Sequence, residues 1–389
     1  MPATDYGTFL GFRRDDGRVG IRNHMLVLST VALTNRLAEL IAEASPGSLL
    51  VAADFMRGLR GRDVVVQNRV LDGIIRHPNV GAVLAIAHDS AAGETLREKL
   101  KAAGKPSDVL VLMSSSGMAD AVAKGRAVLA RLMKTVEGPP RVPIPLSSLV
   151  VALECGGSDP TSALCANPVI GRFVDRLTDH GGAAIVSETA EFIGVEAVVR
   201  SRAATPSVAQ QILECLSRTE AMMAADGEDY RGVNPTPENI DAGLTTLVEK
   251  SMGAVAKTGT GPFVGCLDFA EAPARPGLHF MDTPFFSPVS ITGMVCAGAQ
   301  LVLFGMGVFN PSGSPIAPTI KTCGNPRTVQ RWADSLDLDV SAILTKGTSI
   351  DDMAARLQEI VTQIASGTQS RAEKWREGQI IAPRSVPAL

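Results

Sequence analysis

Short runs of valine, leucine, isoleucine and alanine alternate along this chain with longer amphipathic segments, and this rhythm limits the fold more than any other feature. Apolar runs at 25–29, 48–53, 82–87 and 109–113 read as strands, and the segments at 33–44, 64–76, 91–103 and 119–136 carry helical periodicity. Strand and helix in strict alternation predict βα units on a parallel sheet, an α/β fold. Residues 137–145 hold four prolines and predict a stiff, extended linker. The expected organisation is a Rossmann-like α/β domain at 10–137, a Pro-rich linker at 138–145 and a larger α/β catalytic domain at 146–389.

The second half is less regular. Strands are expected at 148–153, 183–187 and 278–281, with a strand-like segment at 319–323. Helices are expected near 168–180, 207–225, 237–257, 328–336 and 350–366. A glycine-rich apolar region fills 289–304.

Composition excludes several classes. The 389 residues carry a formal charge of −3 with no basic run, and aromatics make up 4%, so a nucleic-acid surface or base-stacking platform is not expected. Six scattered cysteines form neither a disulfide framework nor a CxxC zinc motif. No signal pattern or membrane-length apolar run is present, which gives a cytoplasmic expectation with no membrane partner. The glycine fingerprint of dinucleotide sites and the P-loop are also missing, so no nucleotide cofactor is expected.

Chemistry concentrates where predicted strands end. The 148–153 run delivers Glu154-Cys-Gly-Gly-Ser-Asp-Pro-Thr-Ser-Ala-Leu-Cys-Ala-Asn167, with a thiol, hydroxyls, a carboxylate and an amide in one turn. Two further strands end in Ser187-Glu-Thr-Ala-Glu191 and Asp282-Thr-Pro284. Ligands in open α/β sheets sit beyond the carboxyl ends of the strands. Adjacent strands would therefore gather Cys155, Asp159, Glu188, Glu191 and Asp282 into one pocket. Such oxygen and sulfur donors suit a divalent cation, with Cys155, Asp159, Glu188 and Asp282 as the ligand set; helix caps and turns are the structural alternative for the acids.

Lys250, flanked by Glu249, is a candidate base or carboxylate clamp, although Thr245, Thr246, Glu249 and Lys250 also suit a solvated helix face. Lys321 stands among apolar or small neighbours. Arg18 and Arg22 suit an anionic substrate, with pairing to Asp15 and Asp16 as the alternative. His24 and His88 each sit at a strand end.

Five motifs resemble the altronate/galactarate dehydratase family. They are Arg14-Asp-Asp-Gly-Arg-Val-Gly-Ile-Arg-Asn23, Cys155-Gly-Gly-Ser-Asp159 with Ala166-Asn-Pro168, Ser187-Glu-Thr-Ala-Glu191, Gly243-Leu-Thr-Thr-Leu-Val-Glu-Lys-Ser251 and Phe280-Met-Asp-Thr-Pro284. The resemblance implies a metal-dependent lyase removing water from a sugar acid to leave a 2-keto-3-deoxy acid. The metal would be iron(II), or manganese or magnesium. The large subunit of sulfolactate sulfo-lyase resembles the same family and releases sulfite. A binding paralogue without catalysis is the third reading.

On this resemblance Lys250, Lys321, His24 and Glu249 are the candidate catalytic groups. Arg18, Arg22, Asn23, Ser158, Asn167, Thr245, Thr246 and Thr283 are the candidate substrate ligands. A separate small subunit is implied as a partner, and a homo-oligomer is expected. The chain departs from the family pattern at Asp54-Phe-Met-Arg-Gly-Leu59, at His88-Asp-Ser90 and at Gly305-Met-Gly-Val-Phe309, places where a substrate or partner would be read.

Overall fold

The computed structural model describes residues 6–225, 234–386 and 388. The fold is mixed α/β with parallel sheets. At the N-terminus β1 (Thr8–Arg13) and β2 (Val19–Gly20) precede β3 (His24–Ser29), β4 (Ser48–Val51), β5 (Val80–Ala87) and β6 (Ser107–Val111). The last four form a parallel sheet in the order β4-β3-β5-β6, with helices Asn35–Ala42, Arg62–Arg76, Ser90–Ala103 and Met118–Glu137 between or after its strands. Each expected strand and helix of this half is present, with ends shifted by one or a few residues.

The proline segment is extended and also pairs with a neighbour. Its second half is β7 (Val142–Pro145), paired antiparallel with β1. Proline tolerates an edge strand, where its missing N–H leaves no ladder bond unmade. Arg141 adds anchors, donating to the carbonyls of Leu10, Ile21 and Ala365.

The C-terminal half holds β8 (Val150–Gly156), β9 (Ala183–Val186), β10 (Phe263–Leu267), β11 (Gly277–Met281), β12 (Leu301–Met306), β13 (Thr319–Cys323) and β14 (Leu338–Asp339). They form a seven-stranded sheet in the order β10-β11-β9-β8-β12-β13-β14, parallel at every pairing. The glycine-rich stretch at 289–304 resolves into most of helix Ser287–Cys296 and the start of β12. All ten residues of that helix are buried. It carries no polar face, as expected of a helix enclosed on all sides.

This helix lies between the two parallel sheets. Leu26 and Val83 of the smaller sheet, Ile291, Met294 and Val295 of the helix, and Ala152 and Val302 of the larger sheet share one apolar cluster. Each large side chain buried there contributes about 1.5–3 kcal/mol. The opposite face of the larger sheet packs on helices Asn167–Asp179 and Ile350–Ala365.

One helical expectation breaks in two. The segment 237–257 holds helix Pro237–Asp241, a turn, and helix Leu247–Val255. Gly243 takes φ +109°, and Thr246 caps the second helix by accepting from the Glu249 amide at 3.1 Å. Among the described residues no helix is long and apolar enough to cross a membrane.

Candidate active site

The carboxyl ends of β11, β9, β8 and β12, neighbours in the sheet, open into a cavity of about 590 Å³. Cys155, Gly156, Gly157 and Ser158 enter it from β8, Glu188 and Glu191 from the turn after β9, Phe285 to Pro288 after β11, and Val308 to Ser312 after β12. Lys250 joins the wall from helix Leu247–Val255, as do Thr236, Glu238, Asn239, Gln379 and Ile381 from other segments.

The backbone after β8 needs glycine. Gly157 has φ +58°, and its carbonyl accepts from the amides of Gly307 (3.2 Å) and Val308 (2.7 Å). A Cβ there would meet the Val308 carbonyl oxygen at 2.0 Å. Glu188 takes a left-handed conformation without being glycine, φ +67°. Such backbone costs energy and persists only where its surroundings enforce it. Thr283 supplies one restraint, its Oγ1 accepting from the Glu188 amide at 2.8 Å.

A buried charge cluster forms the floor. Lys257, fully buried in the 3-10 turn Ala256–Thr258, donates from Nζ to Cys155 Sγ and to Glu191 Oε2, each at 2.9 Å. The Cys155 thiol donates to the same Glu191 oxygen at 3.1 Å. Glu188 Oε2 stands 4.0 Å from Nζ and has no hydrogen-bond partner among the described residues. Lys250 Nζ lies 3.7 Å from Glu191 Oε1, donates to Asn234 Oδ1 at 2.7 Å, and sits 4.3 Å from the Phe285 ring centroid.

These surroundings separate the acids. Burial pushes Glu191 up, but Lys257 and Lys250 outweigh it and leave its pKa below the ordinary value. Burial, with the charges of Glu154 and Glu191, drives Glu188 well above its ordinary value. Glu154, one residue before the thiol and bonded by Ser290 Oγ at 2.6 Å, is raised by burial to about 7. The Cys155 thiol is pushed up to about 12 by burial and by Glu191. Burial opposes the charge of Lys257, yet the surrounding acids and Cys155 hold its pKa well above the usual range. The cavity thus sets one acid of raised proton affinity beside another whose affinity is lowered.

The sequence-predicted residues divide sharply. Cys155, Ser158, Glu188 and Lys250 line the cavity. Asp159 and Asp282, expected as metal ligands, do not. The Asp159 carboxylate caps its own turn, accepting from Thr161 Oγ1 and the Ser162 amide, and also accepts from Asn325 Nδ2. Asp282 accepts from Thr189 Oγ1 at 2.8 Å and from Arg218 at 3.1 Å. Asn167 donates to the Gly253 carbonyl, joining two helices.

Thr245, Thr246 and Glu249 are exposed at a helix N-terminus, with Thr245 donating to Glu249 through both its amide and its hydroxyl. Lys321 is buried against Glu377, 4.8 Å from the Phe309 ring centroid, outside the cavity wall. Arg18 pairs with Asp16 at 2.6 Å. Arg22 grips Glu373 with two contacts of 2.8 Å and also donates to the Ile364 and Thr368 carbonyls. Asn23 joins Arg14 to the Val136 carbonyl. His24, at the start of β3, has its pKa lowered to about 4 by burial and Arg22. These four lie away from the cavity, in contacts that tie the N-terminal segment to its neighbours.

Lys257 escaped the sequence reading although its signal was present. It follows Gly253-Ala-Val-Ala256, the same apolar and small context that singled out Lys321.

The donor chemistry tests the implied metal. Cys155 Sγ and one oxygen each of Glu188 and Glu191 lie within 4.8 Å of one another. An ion bound to all three would stand about 2.0–2.3 Å from each. Lys257 Nζ already contacts two of them, and an ammonium cannot share that space with a divalent ion. As arranged, two of the three donors are bonded to the Lys257 ammonium.

Comparison with known proteins agrees with the motifs. Residues 146–387 match the family described as D-galactarate/altronate dehydratase, C-terminal, and residues 11–137 match the D-galactarate dehydratase/altronate hydrolase second domain. The chain is 34% identical to a (2R)-sulfolactate sulfo-lyase subunit beta of Chromohalobacter salexigens, over 97% of each chain. It is 29% identical to an altronate dehydratase of Bacillus subtilis, over 94% of this chain and 76% of that one. A galactarate dehydratase (L-threo-forming) of Escherichia coli is 26% identical, over 96% of this chain and 76% of its own. The chain belongs to the D-galactarate/altronate dehydratase family.

Proposed function

We propose that this chain is a lyase that takes the proton α to the carboxylate of a hydroxylated acid and expels the β-substituent. Its product is a 2-keto acid, a 2-keto-3-deoxy acid when the leaving group is water. The observation that carries this reading is the placement of Glu188 and Glu191 on one cavity, Glu191 bonded to the Lys257 ammonium and Glu188 Oε2 without a hydrogen-bond partner among the described residues, surroundings that push their proton affinities in opposite directions. Environments that separate two titratable groups in this way assign acid and base.

Glu191, whose pKa Lys257 and Lys250 hold below the ordinary value, is the base. Lys250 also offers its ammonium to the substrate carboxylate, whose charge grows as the α-proton leaves. Glu188, keeping its proton, delivers it to the departing hydroxyl. Phe285, Phe286 and Pro288 give the cavity an apolar wall, which strengthens these interactions.

Sulfite release from a sulfonated hydroxy acid is the second reading. It is favoured by the end-to-end match to a sulfo-lyase subunit. A placed acid such as Glu188 favours water, a poorer leaving group that needs a proton. Val308 and Phe309 line the cavity within the run that departs from the family pattern, so substrate choice is assigned to that wall. A small partner subunit is part of the proposal, since the sulfo-lyase relative is named as a subunit. The sheet β4-β3-β5-β6 is read as Rossmann-like in layout with no nucleotide role.

The test is a panel of sugar acids and sulfolactate assayed for 2-keto acid and for sulfite, with and without a candidate small subunit, on wild type and Glu188→Gln. Keto-acid formation that the variant loses supports the reading. No product from any acid in either format refutes it.

A further inference from the structure

We propose that the Lys257 ammonium is the resident cation of the Cys155–Glu188–Glu191 centre and keeps a divalent ion out of it. Two of its three N–H bonds are spent on Cys155 Sγ and Glu191 Oε2 at 2.9 Å, and Glu188 Oε2 stands 4.0 Å away with no other partner among the described residues. The ammonium thus already engages two of the three donors that an ion would need.

The backbone that carries Lys257 cannot readily retreat. A Cβ on Gly171 would lie 2.1 Å from the Ala256 carbonyl oxygen, so helix Asn167–Asp179 is packed directly against this turn. Asp175 Oδ1 accepts from the amides of Thr260 and Gly261 just beyond it. Arg202 donates to both the hydroxyl and the carbonyl of Thr258. Expelling the lysine would bury an ammonium without its acids, at large desolvation cost. The consequence for the site is that Cys155 acts as a thiol that positions Glu191, not as a metal ligand.

This inference concerns the cavity floor and does not depend on which reaction the cavity performs. Cobalt(II) reports sulfur coordination by an intense thiolate-to-cobalt absorption, so anaerobic cobalt titration of the full chain tests it without any substrate. Wild type is expected to show no band that Cys155→Ser removes. Lys257→Ala vacates the ammonium position and is expected to gain such a band, lost again in the Cys155→Ser/Lys257→Ala pair. A Cys155-dependent band in wild type overturns the proposal, as does a folded Lys257→Ala protein that binds no cobalt through sulfur. If Lys257→Ala does not fold, the comparison of wild type with Cys155→Ser decides alone. Either result leaves the lyase assay to be judged on its own products.

Discussion

Replacing Glu191 by glutamine keeps the shape of the side chain and removes the charge around which the floor is built. In the native protein Oε2 accepts from Lys257 at 2.9 Å and from the Cys155 thiol at 3.1 Å, while Oε1 faces Lys250 at 3.7 Å. The amide has one acceptor oxygen where the carboxylate has two. Whichever way it is turned, its NH₂ faces one of the two ammonium groups. Lys257 is fully buried and loses its nearest ionised partner. Breaking one side of a buried ion pair costs about 3–5 kcal/mol, so Glu191→Gln should lower unfolding stability by roughly that much in a denaturant titration. If Glu191 takes the α-proton, turnover should also fall about 10²–10⁴-fold.

The double variant Glu191→Gln/Lys257→Met separates the two effects. With the Lys257 ammonium removed as well, and Lys250 still bonded to Asn234, it should recover much of the stability lost by the single variant while remaining inactive. The interaction energy of that cycle is the measured quantity. A single variant within about 1 kcal/mol of wild type, or two variants whose costs simply add, would refute the claim that Lys257 and Glu191 form one buried unit.

Four further outcomes follow from the structure. Glu188 is raised first by burial and then by the Glu154 charge, so Glu154→Gln should move the basic limb of the kcat/KM profile to lower pH; a shift to higher pH contradicts the assignment. Glu154 itself rises from 4.5 to about 7 on folding, so the folded state holds its proton more tightly than the unfolded chain. Its contribution to stability is present below pH 4.5 and is lost as pH rises through about 7, a slope that the same variant should flatten in denaturation curves. Gly157→Ala should cost more than the ~1–2 kcal/mol of left-handed backbone alone, because its Cβ meets the Val308 carbonyl; Gly181→Ala, at φ +92° with nothing within 4 Å, is the control for backbone strain alone, and equal costs would count against the close approach. Glu249→Gln should keep near-wild-type activity in the same keto-acid assay, since its carboxylate is exposed and accepts from the amide and hydroxyl of Thr245; a large loss of turnover would return it to the active site.

The sequence by itself determined the layered α/β plan, because apolar runs with a helical or strand period can be buried in few ways. It also pointed to Cys155, Ser158 and Glu188, which line the cavity, since strand ends rich in small and polar residues point to the carboxyl edge of a parallel sheet. It did not separate a helix cap from a ligand: Asp159 and Glu188 both follow strand ends, yet only tertiary packing turned one onto its own turn and the other into the cavity. Arg18 and Arg22 read as anion binders because charge pattern says nothing of which carbonyls and acids the fold will bring near them. Lys257 became central only when the helix bearing it was packed against Asn167–Asp179, placing its ammonium beside Cys155, 102 residues away in the chain. Spacing along a chain fixes what a local segment prefers, whereas the partners of a buried charge are chosen by which segments exclude water together.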